Sequence, residues 1–302
     1  MIKSVTVTNY LGDSIKLELM KPEESGFIIQ SITGLGPGKA NINTSDLSTD
    51  DGAIYNSARL PSRNIVISVK YLWKNTIEEA RQLSYKYFPI KRKVTLLIET
   101  DNRIAEIEGY VESNDPDIFS KEEGSDISII CPNPFFYDAY ESITTSFSGI
   151  EGAFEFPFSN ESLTEPTLEF SVIRDVVDRV VNYKGDHEIG ITITIHATGE
   201  AGDITFYNVD TGETMKVFSS SIEALTGTGI TAGDEIVICT VKGQKSATLI
   251  RNAHSTNILN CINRDADWFQ LVKGDNTFAY NATSGRNYLR VEISNRIIYE
   301  GI

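Results

Sequence analysis

Apolar and polar residues alternate along most of this chain, the period-2 pattern of strands that bury one face. The clearest case is Asn64–Trp73, where Ile65, Ile67, Val69, Tyr71 and Trp73 fall on one side of an extended backbone. The same pattern predicts first-half strands over Lys3–Thr8, Ser14–Leu19, Lys93–Thr100, Ile104–Glu112 and Ser125–Cys131, with Leu11-Gly12-Asp13 as a hairpin turn. One helix interrupts them. Thr76 and Glu79 have the spacing of a capping box, Ile77, Ala80, Leu83 and Tyr87 recur every three or four residues, and Pro89 stops the run, so the helix is expected over 76–88.

Between Leu35 and Pro61 the pattern lapses. This stretch is rich in Gly, Asn, Ser, Thr and Asp and has no regular period until Ala53-Ile54-Tyr55. So long a structureless loop does not sit idle in a compact domain, and an arm lying on a neighbouring subunit is the expectation. After Cys131-Pro132-Asn133-Pro134-Phe135-Phe136-Tyr137 regularity is lost again, which places a connector over 141–165. Strands then return at Thr167–Ile173, Ile189–Ala197, Asp203–Val209, Glu213–Phe218, Glu235–Thr240, Ala247–Asn252, Asp267–Leu271, Asn276–Asn281, Tyr288–Ser294 and Arg296–Tyr299, with turns at Asp210-Thr211-Gly212 and Lys242-Gly243-Gln244. The expected architecture is mainly β. An N-terminal β-sandwich-like domain with one α-helix occupies 1–140, and a C-terminal β-sandwich of jelly-roll or galectin-like type occupies 166–302.

Charge narrows the function. The chain carries 27 basic and 42 acidic residues, a formal charge of −15, with about −5 on residues 1–140 and −10 on the rest. That is the wrong sign for gripping nucleic acid through its phosphates. No apolar run reaches the roughly 18 residues that span a bilayer, and the start lacks a secretory leader, so synthesis in a cytoplasm and no membrane association are expected. Cys131, Cys239 and Cys261 are odd in number and widely spaced, and read as small buried apolar residues. Lys91-Arg92-Lys93 follows the helix. The favoured reading is that these cations complement the negative end of the helix dipole, and the other is contact with an acidic partner.

Catalytic signatures are lacking. His187, His196 and His254 stand in no metal-binding spacing, and no GxSxG elbow is present. Gly34-Leu35-Gly36-Pro37-Gly38 is followed by neither Lys-Ser/Thr nor a helix start, so it reads as a turn and not as a phosphate loop. Asp46, Asp50 and Asp51 before Gly52 hint at a cation but break the EF-hand pattern at Leu47. No catalytic residue, metal or cofactor is expected. Trp268, beside Phe269, is a candidate aromatic platform for a sugar, with packing in the sandwich core as the plainer reading.

Taken in order, Ile32-Thr33-Gly34-Leu35-Gly36, Asp51-Gly52-Ala53, Pro61-Ser62-Arg63-Asn64-Ile65-Val66-Ile67, the helix with Arg81 and Leu83, and Cys131-Pro132-Asn133-Pro134-Phe135-Phe136-Tyr137 resemble the distal tail protein (Dit) family of long-tailed bacteriophages, also called the siphovirus tail component family. A looser similarity runs through Asp203-Ile204-Thr205-Phe206-Tyr207-Asn208, Gly233-Asp234-Glu235 and Asp267 to Asn276. The resemblance implies a structural protein without catalytic residues, located in the virion tail tip. Its N-terminal domains would form a hexameric ring between the tail tube protein and the tail hub or tail-associated lysin, leaving a channel through which DNA passes unbound. Its C-terminal domains would project outward and carry receptor-binding protein. Ring contacts are then expected at Val5, Val7, Gly34, Leu35, Gly36, Asp51 and Gly52. The alternatives are a carbohydrate-binding module that holds host cell-wall glycan at Trp268, and a tail-associated hydrolase.

Overall fold

The computed structural model describes residues 1–47, 51–72, 76–120, 122–152, 171–175 and 178–302. The chain forms two units, Met1–Glu141 together with Ile298–Ile302, and Ser142–Ile297.

The first unit contains β1 (Ile2–Asn9), β2 (Ser14–Glu18), a short α1 (Pro22–Ser25), β3 (Phe27–Thr33), β4 (Asn41–Asp46), β5 (Ala53–Arg59), β6 (Arg63–Tyr71), α2 (Ile77–Tyr87), β7 (Lys93–Thr100), β8 (Ile104–Pro116), β9 (Gly124–Cys131) and the start of β10 (Phe136–Ser146). Its strands pair antiparallel in the order β2-β1-β7-β8-β9-β6-β3. β10 joins β8 on the edge that β9 also uses. The register of β8 against β9 shifts between Val111 and Ser113, a bulge of the kind that bends a long strand. As the alternation predicts, Ile65, Ile67, Val69 and Tyr71 are all buried; Trp73 lies outside the described residues.

The helix forms where its signals stand. Thr76 Oγ1 accepts from Glu79 N at 3.3 Å, satisfying one of the open N-terminal donors. Its inward face is Ala80 and Ser84, and beneath it lies a polar layer: Asn114 donates to Ser84 Oγ at 2.9 Å, Ser125 donates to Asn114, and Arg81 pairs with Glu123 at 2.9 Å. β3, α1 and the second unit's α3 (Ser219–Thr226) lie outside the expected elements, so the chain has more than one helix.

Leu35–Pro61 is not an irregular loop. β4 and β5 pair as a hairpin with a register shift between Asn43 and Thr44, and Gly52 supplies φ +108 at its tip. Every residue of both strands is exposed. With neither face buried, the hairpin had no alternation to announce it.

The second unit adds β11 (Ser148–Gly152), β12 (Ser171–Asp175), β13 (Asp178–Tyr183), β14 (Ile189–Gly190), β15 (Thr192–Ala197), β16 (Ile204–Asn208), β17 (Thr214–Val217), α3, β18 (Glu235–Cys239), β19 (Ser246–Arg251), β20 (His254–Asn257), β21 (Gln270–Leu271), β22 (Gly274–Ala282) and β23 (Leu289–Tyr299). One sheet runs β23-β15-β18-β19-β20 and the other β13-β22-β16-β17. Phe147 ties the sheets together: its backbone N–H donates to Val291 O of β23 at 2.9 Å, and its ring meets Tyr280 of β22 edge-on at 5.3 Å. The two strands expected over Tyr288–Tyr299 are the single β23, whose last two residues pack with the first unit along with the chain end. Most of the expected connector 141–165, and the first part of the expected strand Thr167–Ile173, lie outside the described residues.

Candidate functional site

The base of the exposed hairpin is built around one cation. Arg63 opens β6 and is only 6% exposed. It donates from Nε to Pro134 O at 2.6 Å, from Nη1 to Gly34 O at 2.6 Å and Gly36 O at 2.5 Å, and from Nη2 to Glu300 O at 2.6 Å. Its guanidinium also lies 4.7 Å from the centre of the Phe136 ring. A planar fork with several fixed donors suits such a cluster of carbonyls, where an ammonium is a single point charge. Burial pulls the Arg63 pKa down from its ordinary value, and Cys131 and Glu300 oppose that pull. Burial also pushes the neighbouring Cys131 thiol up to about 11, so at neutral pH it is an uncharged apolar group beside the cation.

Three segments that carry the family resemblance, 32–36, 61–67 and 131–137, therefore converge on Arg63, joined by the chain end. Gly34 holds φ +83, and a Cβ there would lie 2.1 Å from Asn64 O, so only glycine allows this approach. The last residue is tied in as well, with Ile302 N donating to Leu35 O at 3.0 Å. The hairpin thus rises from a rigid anchor. Asp51 and Gly52 sit at its exposed tip, alongside the exposed Leu47, Ile54 and Tyr55.

The residues expected at a ring contact stand in different environments within the chain. Val5 and Val7 are buried on the core face of β1, an interior strand, and Leu35 is buried beneath the hairpin base. Their side chains pack within the chain. Gly34 and Gly36 act through their carbonyls, which Arg63 already holds. Asp51 and Gly52 remain available at the tip.

Trp268 is half-buried, its neighbour Phe269 is fully buried against Phe278, and the Lys245 ammonium sits 5.0 Å from the Trp268 ring centre. A sugar stacking on that face would have to displace the lysine. Elsewhere in this unit the buried Asp234 carboxylate pairs with Arg251 at 2.6 Å, and Arg251 also reaches Thr226, Thr228 and Gly229 O. This is a polar clamp that fixes the turn before β18. No helix among the described residues is long and apolar enough to cross a membrane.

The roles of Arg63 and of the chain end had no signature in the residue pattern. The position of Arg63 within Pro61-Ser62-Arg63-Asn64-Ile65-Val66-Ile67 was the one available hint.

No protein-family model and no curated protein matches the chain. Solved structures do match. Two are chains of phage baseplates, the P2 baseplate in its activated conformation with Ca (12% identity, TM-score 0.48, 98% of each chain covered) and the p2 baseplate in the same conformation with Sr (11% identity, TM-score 0.44, 97% of each). At those TM-scores neither bears on the argument. The Dit (gp 19.1) protein of SPP1, described as a paradigm of hub adsorption apparatus in phages infecting Gram-positive bacteria, superposes with a TM-score of 0.65 at 14% identity, covering 98% of this chain and 100% of that one. Across both units, the chain has the fold of the SPP1 Dit protein.

Proposed function

We propose that this protein is a structural component of a bacteriophage or prophage-derived tail tip, and that six copies close into a ring joining the tail tube to the tail hub. The observation that carries this reading is the match to the whole of SPP1 Dit, both units included, at a TM-score of 0.65. The first unit forms the ring and the second projects from it, where receptor-binding protein attaches. The tube protein docks on one side of the ring and the hub or tail-associated lysin on the other.

The composition suits a conduit. A six-copy ring carries a formal charge of about −90, and carboxylates lining an opening repel DNA phosphates, so the genome slides without sticking. Ring closure needs a heterologous contact, with two different patches on each copy. The β4–β5 hairpin, with Asp51 and Gly52 at its tip, supplies one of them: both of its strands are exposed and it is rooted in a rigid base. The protein works by its shape and performs no chemistry.

Negative-stain microscopy of purified protein, backed by solution mass, tests the proposal. Six-fold rings with a central hole are expected. A chain that stays monomeric at every concentration, or a particle whose terminal collar is built from another protein, overturns it.

A further inference from the structure

In this acidic molecule the charge reverses locally at the end of α2. Asn9 fastens the β1–β2 turn to that helix, accepting from Leu11 N and Asp13 N at 3.0 Å each and donating to Lys86 O at 3.1 Å. The loop after the helix is pinned next to it. Lys91 N donates to Val111 O at 2.9 Å, Val111 N donates to Arg92 O at 3.2 Å, and the Arg92 guanidinium lies 5.2 Å from the centre of the Tyr10 ring. These contacts bring Tyr10 (51% exposed), Leu11 (68%) and Ile90 (47%) beside Lys91 and Arg92.

The cations of this patch are not equivalent. Lys86 pairs with Asp13 at 3.1 Å and Lys93 with Glu108 at 2.6 Å. Lys91 and Arg92 have no carboxylate at ion-pair distance among the described residues. Lys91 is also held at φ +63, a left-handed conformation that costs a non-glycine residue about 1 kcal/mol, so the loop presents this lysine at some expense.

The hairpin is the complement. A lone two-stranded hairpin is at best marginally stable in water, and this one is uncovered by its own chain at every described strand residue. It exposes Ile42, Leu47, Ile54 and Tyr55, and among the described residues the charges toward its tip are Asp46 and Asp51, while Lys39 and Arg59 stay at its base. Copies of a chain with formal charge −15 repel one another, so contact is favoured where one partner shows cations and the other carboxylates, each with apolar surface to bury. We propose that the hairpin tip of one copy docks on the Tyr10–Leu11–Ile90 patch of the next, with Asp46 and Asp51 facing Lys91 and Arg92. This rests on the reading that copies of the chain assemble, and it names the second of the two patches that a closed ring requires.

Sedimentation of the full chain tests the pairing through three variants: Lys91→Glu with Arg92→Glu, Asp46→Lys with Asp51→Lys, and all four together. All four positions are at the surface, so circular dichroism should find each variant folded. Each charge reversal is expected to weaken self-association by about tenfold or more, and the fourfold variant to recover most of the loss. Carbodiimide cross-linking of an equal mixture of unlabelled and 15N-labelled wild-type chains should join Lys91 of one isotope to Asp46 or Asp51 of the other. Wild-type association that survives both reversals, reversals not rescued in the fourfold variant, or cross-links within one isotope only, would each overturn this pairing and leave the ring standing. A wild-type chain that never associates overturns the ring as well.

Discussion

Replacing Arg63 with alanine removes four hydrogen bonds at once, to the carbonyls of Gly34, Gly36, Pro134 and Glu300, together with a cation resting on Phe136. A hydrogen bond to a charged group contributes about 1.5–3 kcal/mol net. Gly34 and Gly36 are exposed and recover water partners, whereas Pro134 and Glu300 are half-buried and recover less. Counting those two in full and the exposed pair as neutral gives a cost of about 3–6 kcal/mol, a large share of the 5–15 kcal/mol typical of a folded chain. The melting transition of the first unit should fall by about 10 °C. Arg63→Lys should restore less than half of this, because a single ammonium cannot serve four diverging acceptors. Calorimetry gives the magnitude, and hydrogen exchange at the Ile302 amide reports whether the chain end detaches. An alanine variant that loses less than about 1 kcal/mol and keeps that amide protected would refute the claim that Arg63 organises the hairpin base.

Other substitutions probe separate parts of the argument. Gly34→Ala puts a methyl group 2.1 Å from Asn64 O at φ +83 and should cost about 2–4 kcal/mol in urea denaturation; a neutral result would mean the backbone relaxes freely there. The Cys131 thiol should resist disulfide reagents at pH 8 in the native protein. Because its pKa is raised from 9.0 to about 11, the unfolded chain sheds this proton first, so stability should fall as pH rises between those values and be unaffected below them. Cys131→Ser should flatten that slope, and an unchanged pH profile would assign the slope to other groups. Burial pushes the Asp234 carboxyl up, but Arg251 and Thr231 outweigh it and hold the pKa below 3.8. The pair's contribution is therefore present at neutral pH and lost only as pH falls through that lowered value. Arg251→Met leaves a buried carboxylate unpaired and should cost the second unit about 3–5 kcal/mol by calorimetry, with a loss under about 1 kcal/mol counting against the clamp.

Strands with one wet and one dry face were legible in the sequence, because burial of alternate side chains imposes a period of two on the residues themselves. β6, with Ile65, Ile67, Val69 and Tyr71 all buried, is the plainest example, and the capped helix at Ile77–Tyr87 was legible for the matching reason at its own period. Where burial does not differ between faces, no such pattern exists. β4 and β5 are exposed on both sides, and so their hairpin read as loop.

Tertiary structure alone decided which apolar residues were spent inside the chain and which were left for contact. Val5 and Leu35 pack inward while Leu11 and Ile54 face water, and residue type does not distinguish the two outcomes. It alone decided the role of Arg63, whose acceptors lie 27, 29, 71 and 237 positions away along the chain. A local pattern encodes a residue's relation to its own strand or helix, whereas a partner distant along the chain is set only when the whole sheet closes and carries it into reach.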